Sequence, residues 1–206
     1  SLRKVKPDLI MVSMGGMGQT GPWKDYVAFG PTLQAFSGIT YLTTFPDYPP
    51  IGLGYSYADH VAGLMAALAI LEALEFRHKA HQGQYIDLSQ LEATCTLLGP
   101  AILDCTANRR NPAPTGNRPT YRLASPHGVY RCKGEDRWCA LAVFTDEEWQ
   151  SFCRVLDNPD WTRDIQFTTM LRRKENEAEL NKLIEEWTIN YPPEEVMTRM
   201  QQAGVA

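Results

Sequence analysis

From Leu9 to Met14 the chain reads LIMVSM, an apolar run closed off by Pro7-Asp8 before it and Gly15-Gly16 after it. A short apolar run between breakers predicts a buried strand. The glycine-rich stretch Gly15 to Gly21 predicts a turn. Beyond Pro22 and Trp23 the pattern has helical character until Gly30-Pro31, which reads as a break, and Thr32 to Phe36 reads as a second helical piece. Gly38 to Gly54, punctuated by Pro46, Pro49 and Pro50, reads as loop. The clearest helix is Ser56 to His78, where Val61, Leu64, Met65, Leu68, Leu71 and Leu74 recur near i, i+3, i+4 spacing. Alanines 62, 66, 67, 69 and 73 strengthen it and permit close packing. Arg77, His78 and Lys79 suit the negative end of its dipole.

Tyr85 to Leu88 predicts a further strand, and Ser89-Gln-Leu-Glu92 has the spacing of a capping box opening another helix. Strand, helix, strand, helix predicts an α/β layer with parallel strands. Asn108 to Pro126 is proline-rich and reads as a linker of about twenty residues. Past it, Gly128 to Cys132 and Trp138 to Phe144 predict two strands around the turn Lys133-Gly-Glu-Asp136. Asp146 to Leu156, Arg172 to Asn190 and Pro193 to Gln202 predict helices, with Gly204 as a C-cap glycine. The expected organisation is residues 1–107 as part of a larger α/β domain, 108–126 as linker and 127–206 as a smaller α+β domain.

Composition narrows the function classes. The 206 residues are 44% hydrophobic and 21% charged, with a formal net charge of −4. No basic run marks a nucleic-acid partner. No stretch of about 18 unbroken apolar residues marks a membrane span, since Val61 to Leu74 is short and contains Glu72. The polar, basic start does not read as a signal peptide, and both ends read as interior segments of a longer chain. Five cysteines without a C-x-x-C pair read as free thiols of a reducing cytoplasm. Four histidines without ligand spacing give no metal site.

Three constellations bear chemistry. Gly16-Met-Gly18-Gln-Thr-Gly21 matches the dinucleotide fingerprint after a strand. Pro22 follows at once, however, and no acidic residue ends a second strand about twenty residues on, so a plain tight turn is favoured. Ser56-Tyr-Ala-Asp59 fits a capping box. It equally fits a carboxylate held ionised by the positive end of a helix dipole, as a nucleophile requires. Local spacing does not separate the two. Arg109, Arg110, Arg118 and Arg122 around the linker could meet phosphate, though solvated charge is the plainer account. Trp138, Trp149, Trp161 and Trp187 read as core or interface.

Several stretches taken in order resemble a known family. PDLIMVSMGGMGQTGPW (7–23), YVAFGPTLQAFSG (26–38), ADHVAGLMAALAILEAL (58–74), GQYIDLSQLEA (83–93), TGNR (115–118) and HGVYRCKGEDRWCALAVFTDEEW (127–149) are similar to the class III CoA transferases. That group includes formyl-CoA and carnitine CoA transferases and 2-methylacyl-CoA racemase. The resemblance implies a Rossmann-like large domain followed by a small α+β domain, in an interlocked homodimer. It implies an acyl-CoA and a carboxylic acid as substrates, with no cofactor beyond coenzyme A itself. It assigns Asp59, in Ala58-Asp59-His-Val-Ala-Gly63, as the nucleophile that forms an acyl anhydride and then an aspartyl-CoA thioester. Tyr26, Val27, Ala28 and Phe29 match the segment that contacts CoA. The racemases carry a histidine base where this chain has Phe29, which favours transfer over isomerisation. Ala80-His81 replaces the family's usual Thr-Gly. The formyl-CoA transferases' glycine run after Gly116-Asn117 is replaced by RPTYRLASP (118–126), which implies an acid bulkier than oxalate.

Overall fold

The computed structural model describes residues 2–119 and 123–206. The chain forms two compact units, residues 1–116 and 117–206.

The first unit opens with α1 (Leu2–Val5) and β1 (Met11–Gly15). Helices α2 (Gly30–Ser37), α3 (Ile39–Leu42) and α4 (Tyr57–Ala80) lead to β2 (Tyr85–Ser89), and α5 (Gln90–Cys95) and α6 (Gly99–Asn108) complete it. β1 and β2 pair in parallel, with Met11 opposite Tyr85 and Gly15 opposite Ser89. The connection between them carries α4 back along the sheet, so α4 begins at the edge where both strands end. That carboxyl edge is where open α/β layers bind their ligands.

Gly30-Pro31 does not break a helix; it starts one. Proline at the first turn gives up an N–H that has no helical partner there, and its fixed φ already suits a helix. The residues from Pro22 to Phe29, expected to be helical, form a turn and extended chain instead. Gly38, with φ 89°, caps α2 and redirects the chain into α3 within the predicted loop.

The long helix α4 buries a face other than the predicted leucine stripe. Ala58, Ala62, Ala66 and Ala73 are its buried residues. Leu64, Leu68 and Leu71 are exposed. Small side chains let α4 lie close against α5 and the sheet, and this close approach selects the alanine face. α4 is also the one helix among the described residues long and apolar enough to cross a membrane by length and composition. Within this unit it packs against α2, α5 and both strands.

The second unit contains the antiparallel pair β3 (His127–Arg131) and β4 (Trp138–Ala142), then α7 (Asp146–Val155), α8 (Met170–Glu175), α9 (Glu177–Thr188) and α10 (Pro193–Gln202). Tyr130, Leu141, Val143, Phe152, Phe167, Leu180, Ile184 and Val196 belong to its shared core. Trp149 is buried there, Trp161 and Trp187 pack against it, and Trp138 is exposed. The helix expected over 172–190 is divided at Asn176, whose side-chain amide donates to Arg172 O and Gln166 O. A side chain that competes for backbone acceptors in this way disfavours uninterrupted helix. Gly204, φ 77°, closes α10, with Val205 N donating to Met200 O and Gly204 N to Gln201 O. Those two bonds form a Schellman cap.

Candidate active site

At the carboxyl edge of the parallel strands, α2, α4 and α5 all begin near one carboxylate, that of Asp59. Ser56 stands at the N-cap of α4, but its side chain makes no cap hydrogen bond. The capping-box reading therefore does not hold. The Asp59 carboxylate is engaged from elsewhere, by Gln90 Nε2, which donates to Oδ1 at 2.8 Å across 31 residues of chain.

The other oxygen faces Gly30. A β-carbon on Gly30 would run into the Ser56 side chain and lie 3.1 Å from Asp59 Oδ2. α2 is tied to the chain just before α4 by buried Gln34, whose amide donates to Tyr55 O at 2.8 Å. Beneath the carboxylate lies a small core of Met17, Leu33, Ala58 and Leu91, with Ala28 and Cys95 packed against it. It joins the glycine-rich turn to all three helices.

Gln90 is itself held in place. Leu91 N and Ser89 Oγ both donate to Gly16 O, at 3.0 and 3.3 Å. Thr94 Oγ1 donates to Gln90 O at 2.8 Å. Ser89 caps α5 by accepting from Glu92 N, as its spacing predicts. Nothing in the sequence pattern singles out Gln90, which in the chain is only the second residue of that cap.

The glycine-rich turn is a turn and not a phosphate cradle. Gln19 N donates to Asp87 Oδ1 at 2.9 Å and Thr20 Oγ1 to Asp87 Oδ2 at 3.4 Å. An internal carboxylate thus takes the donors that a phosphate would need, and no helix opens at Gly21.

The segment matched to CoA contacts ends beside Asp59, since Phe29 is the residue before Gly30 and the N-cap of α2. Phe29, Tyr26 and Val27 are exposed, and the Tyr26 ring stacks on Trp23. The Ala28 side chain is taken up by the small core, which leaves only its backbone for a ligand. His60, next to Asp59, places Nδ1 2.8 Å from Ser56 O and its ring against Tyr55.

Two of the linker arginines are paired with carboxylates, Arg110 with Asp104 and Arg118 with buried Glu177. Arg109 caps α6 in a left-handed conformation. Arg122 lies outside the described residues, and with it part of the loop from which a bulkier acid is expected. Among the described residues no three or more His, Cys, Asp or Glu side chains come together as a metal site.

A sequence model of the family described as CoA-transferase family III matches residues 1–206. The chain belongs to that family. It is 32% identical over 204 residues to the succinyl-CoA--D-citramalate CoA-transferase of Chloroflexus aurantiacus, covering 99% of this chain and 50% of that protein. It is 31% identical over 205 residues to the acetyl-CoA:oxalate CoA-transferase of Acetobacter aceti, covering 99% of this chain and 52% of that one. The crystal structure of a CAIB/BAIF family protein from Brucella suis superposes with a TM-score of 0.92 at 27% identity, over 100% of this chain and 53% of its own. The chain thus spans about half the length of these relatives.

Proposed function

We propose that this chain carries the nucleophilic centre of an acyl-CoA transferase, with Asp59 as the nucleophile. The observation that carries the proposal is the setting of the Asp59 carboxylate. It is not spent on capping its own helix; it is gripped at Oδ1 by Gln90 and left room at Oδ2 by Gly30. Family membership and two relatives with CoA-transferase names support the same reading.

Asp59 Oδ2 attacks the carbonyl carbon of the donor thioester. The new C–O bond forms as the C–S bond breaks, and CoA leaves as thiolate. The thiolate then attacks Asp59 Cγ, the Cγ–Oδ2 bond breaks, and the donor acid departs as its carboxylate with that oxygen. An acceptor carboxylate repeats the two steps in reverse order. No net proton moves, which suits a site whose flanking residue is Phe29 and not a base. Covalent catalysis of this kind divides one difficult exchange into easier ones.

The exposed residues Tyr26, Val27 and Phe29 and the Ala28 backbone would line the approach of the thioester. The named acids of the two relatives, citramalate and oxalate, are both dicarboxylic. They favour a dicarboxylic acid as acceptor, and citramalate is, like the acid implied by the 118–126 loop, bulkier than oxalate. The reading further takes the enzyme to be a cytoplasmic, interlocked homodimer with a Rossmann-like large domain, needing no cofactor besides its CoA substrate.

The test is mass spectrometry of the full-length protein mixed with acyl-CoA donors. The expected result is an adduct on the Asp59 peptide. Asp59→Ala should remove the adduct and lower turnover by more than about ten thousandfold, as loss of a covalent nucleophile does, while CoA still binds. Retained turnover in Asp59→Ala overturns the proposal.

A further inference from the structure

We infer that Gln90 is the oxyanion donor for the steps that take place at Asp59 Cγ. The inference rests on the proposed role of Asp59 as nucleophile. A carboxylate only accepts hydrogen bonds, so the Gln90 amide must present its N–H to Oδ1. The bond is 2.8 Å long and partly shielded from solvent.

The charge on Oδ1 changes through the reaction, and the strength of this bond follows it. In the resting carboxylate Oδ1 holds about half a negative charge. In the mixed anhydride and in the aspartyl-CoA thioester it is a neutral carbonyl oxygen. When thiolate or acceptor carboxylate adds to Cγ, Oδ1 becomes a full oxyanion. A charge-assisted bond is roughly twice as strong as a neutral one. Gln90 therefore stabilises the transition states at Cγ more than the intermediates on either side, which is the condition for acceleration. It does not assist the first attack, where Asp59 loses charge to the donor carbonyl. The donor also needs no reorganisation, because Ser89 and Leu91 on either side are both bonded to Gly16 O and Thr94 holds the Gln90 carbonyl.

This asymmetry gives a readout that a purely structural role would not move. The full-length protein is mixed with a donor acyl-CoA and no acceptor, quenched rapidly, and the Asp59 peptide analysed. Wild type is expected to pass from anhydride to aspartyl-CoA thioester. In Gln90→Met the anhydride still forms, and hydroxylamine traps it as acyl hydroxamate. Its conversion to thioester should slow by about a hundredfold, the scale of losing one oxyanion donor.

Gln90→Glu keeps the shape and tests the proton. Its protonated carboxyl donates to Oδ1, so thioester formation should recover at acidic pH and fall as pH rises. Asp59 is uncharged in the anhydride, so the fall follows ionisation of the introduced carboxyl alone. Thioester formation at the wild-type rate in Gln90→Met overturns the role of Gln90 and leaves Asp59 as nucleophile. Equal loss of both adducts in both variants, without recovery at low pH, also overturns it. Absence of any adduct in wild type overturns the nucleophile together with its donor.

Discussion

Gly30 stands against Asp59 at the meeting point of α2 and α4, with space for a hydrogen but not for a methyl group. A β-carbon there would lie 3.1 Å from Oδ2 and collide with Ser56. Both obstacles belong to the first turn of α4 and its cap, so one side chain cannot swing clear of the other. The glycine is required by close approach and not by an unusual backbone angle.

Gly30→Ala is therefore expected to push the start of α4 away from α2. Overpacking of this kind costs about 1–3 kcal/mol. Activity should suffer more than stability, because a displacement of about 1 Å at a reacting group can cost about a hundredfold. Denaturant titration and turnover measured on the same preparation check this. A variant with wild-type turnover would show that the Asp59–Gly30 approach has no part in the chemistry.

The fully buried Arg173 holds the second unit together from α8. Nε donates to Ser125 O at 3.0 Å, Nη1 to Phe167 O at 3.2 Å and Nη2 to Asp146 Oδ1 at 3.1 Å. Its guanidinium carbon lies 4.5 Å from the centroid of the Trp149 ring. Burial lowers its pKa from the ordinary value, and Asp146 opposes that shift. Lysine has the charge but not the planar fork. Arg173→Lys leaves carbonyls in the core without donors, at about 1–3 kcal/mol each, and a loss of roughly 2–4 kcal/mol is expected. Urea midpoints measure it; a change under about 0.5 kcal/mol, the range of a neutral surface substitution, would refute this account.

Much of the fold is legible in the chain because local patterns decide it. Both parallel strands, the turn at 133–136, α10 and its Gly204 cap follow from breakers and periodicity, but the burial expected of the first strand does not, since Met11 and Met14 of β1 are exposed. Three features are not decided by local patterns alone. The leucines of α4 are the larger apolar side chains at helical spacing, yet Ala62 and Ala66 are buried, since only a small side chain permits the contact with α5 and the sheet. Gly30-Pro31 reads as a stop when seen from the residues before it and as a start from those after it. At the site, Asp59 is conspicuous through its family pattern, but its decisive partner Gln90 is 31 residues away. A hydrogen bond between two helix starts leaves no periodic trace. The parallel pairing of Gly15 with Ser89 sets only the glycine-rich turn beside the start of α5.

The second unit should also lose stability in alkali, and the direction follows from two buried acids. Burial pushes the Cys153 thiol up from 9.0 to about 11, against the opposing pull of Thr162 and Arg173. Burial also pushes the Tyr130 phenol up from 10.0, with Glu177 and Glu185 adding to the rise, while its hydroxyl donates to Asn181 Oδ1 at 2.7 Å. Above these ordinary values the unfolded chain has released protons that the folded unit still holds. The folded state then binds more protons, so stability falls as pH rises. The contribution of Cys153 is complete below pH 9.0 and is lost through about pH 11, at most about 3 kcal/mol for a shift of that size. Tyr130 continues the loss at higher pH. Urea midpoints followed by tryptophan fluorescence between neutral pH and pH 11 should therefore decline, and Cys153→Ala should flatten the first part of the decline whatever its own cost at neutral pH. An unchanged slope in that variant would mean that the thiol ionises as readily in the folded unit as in the unfolded chain.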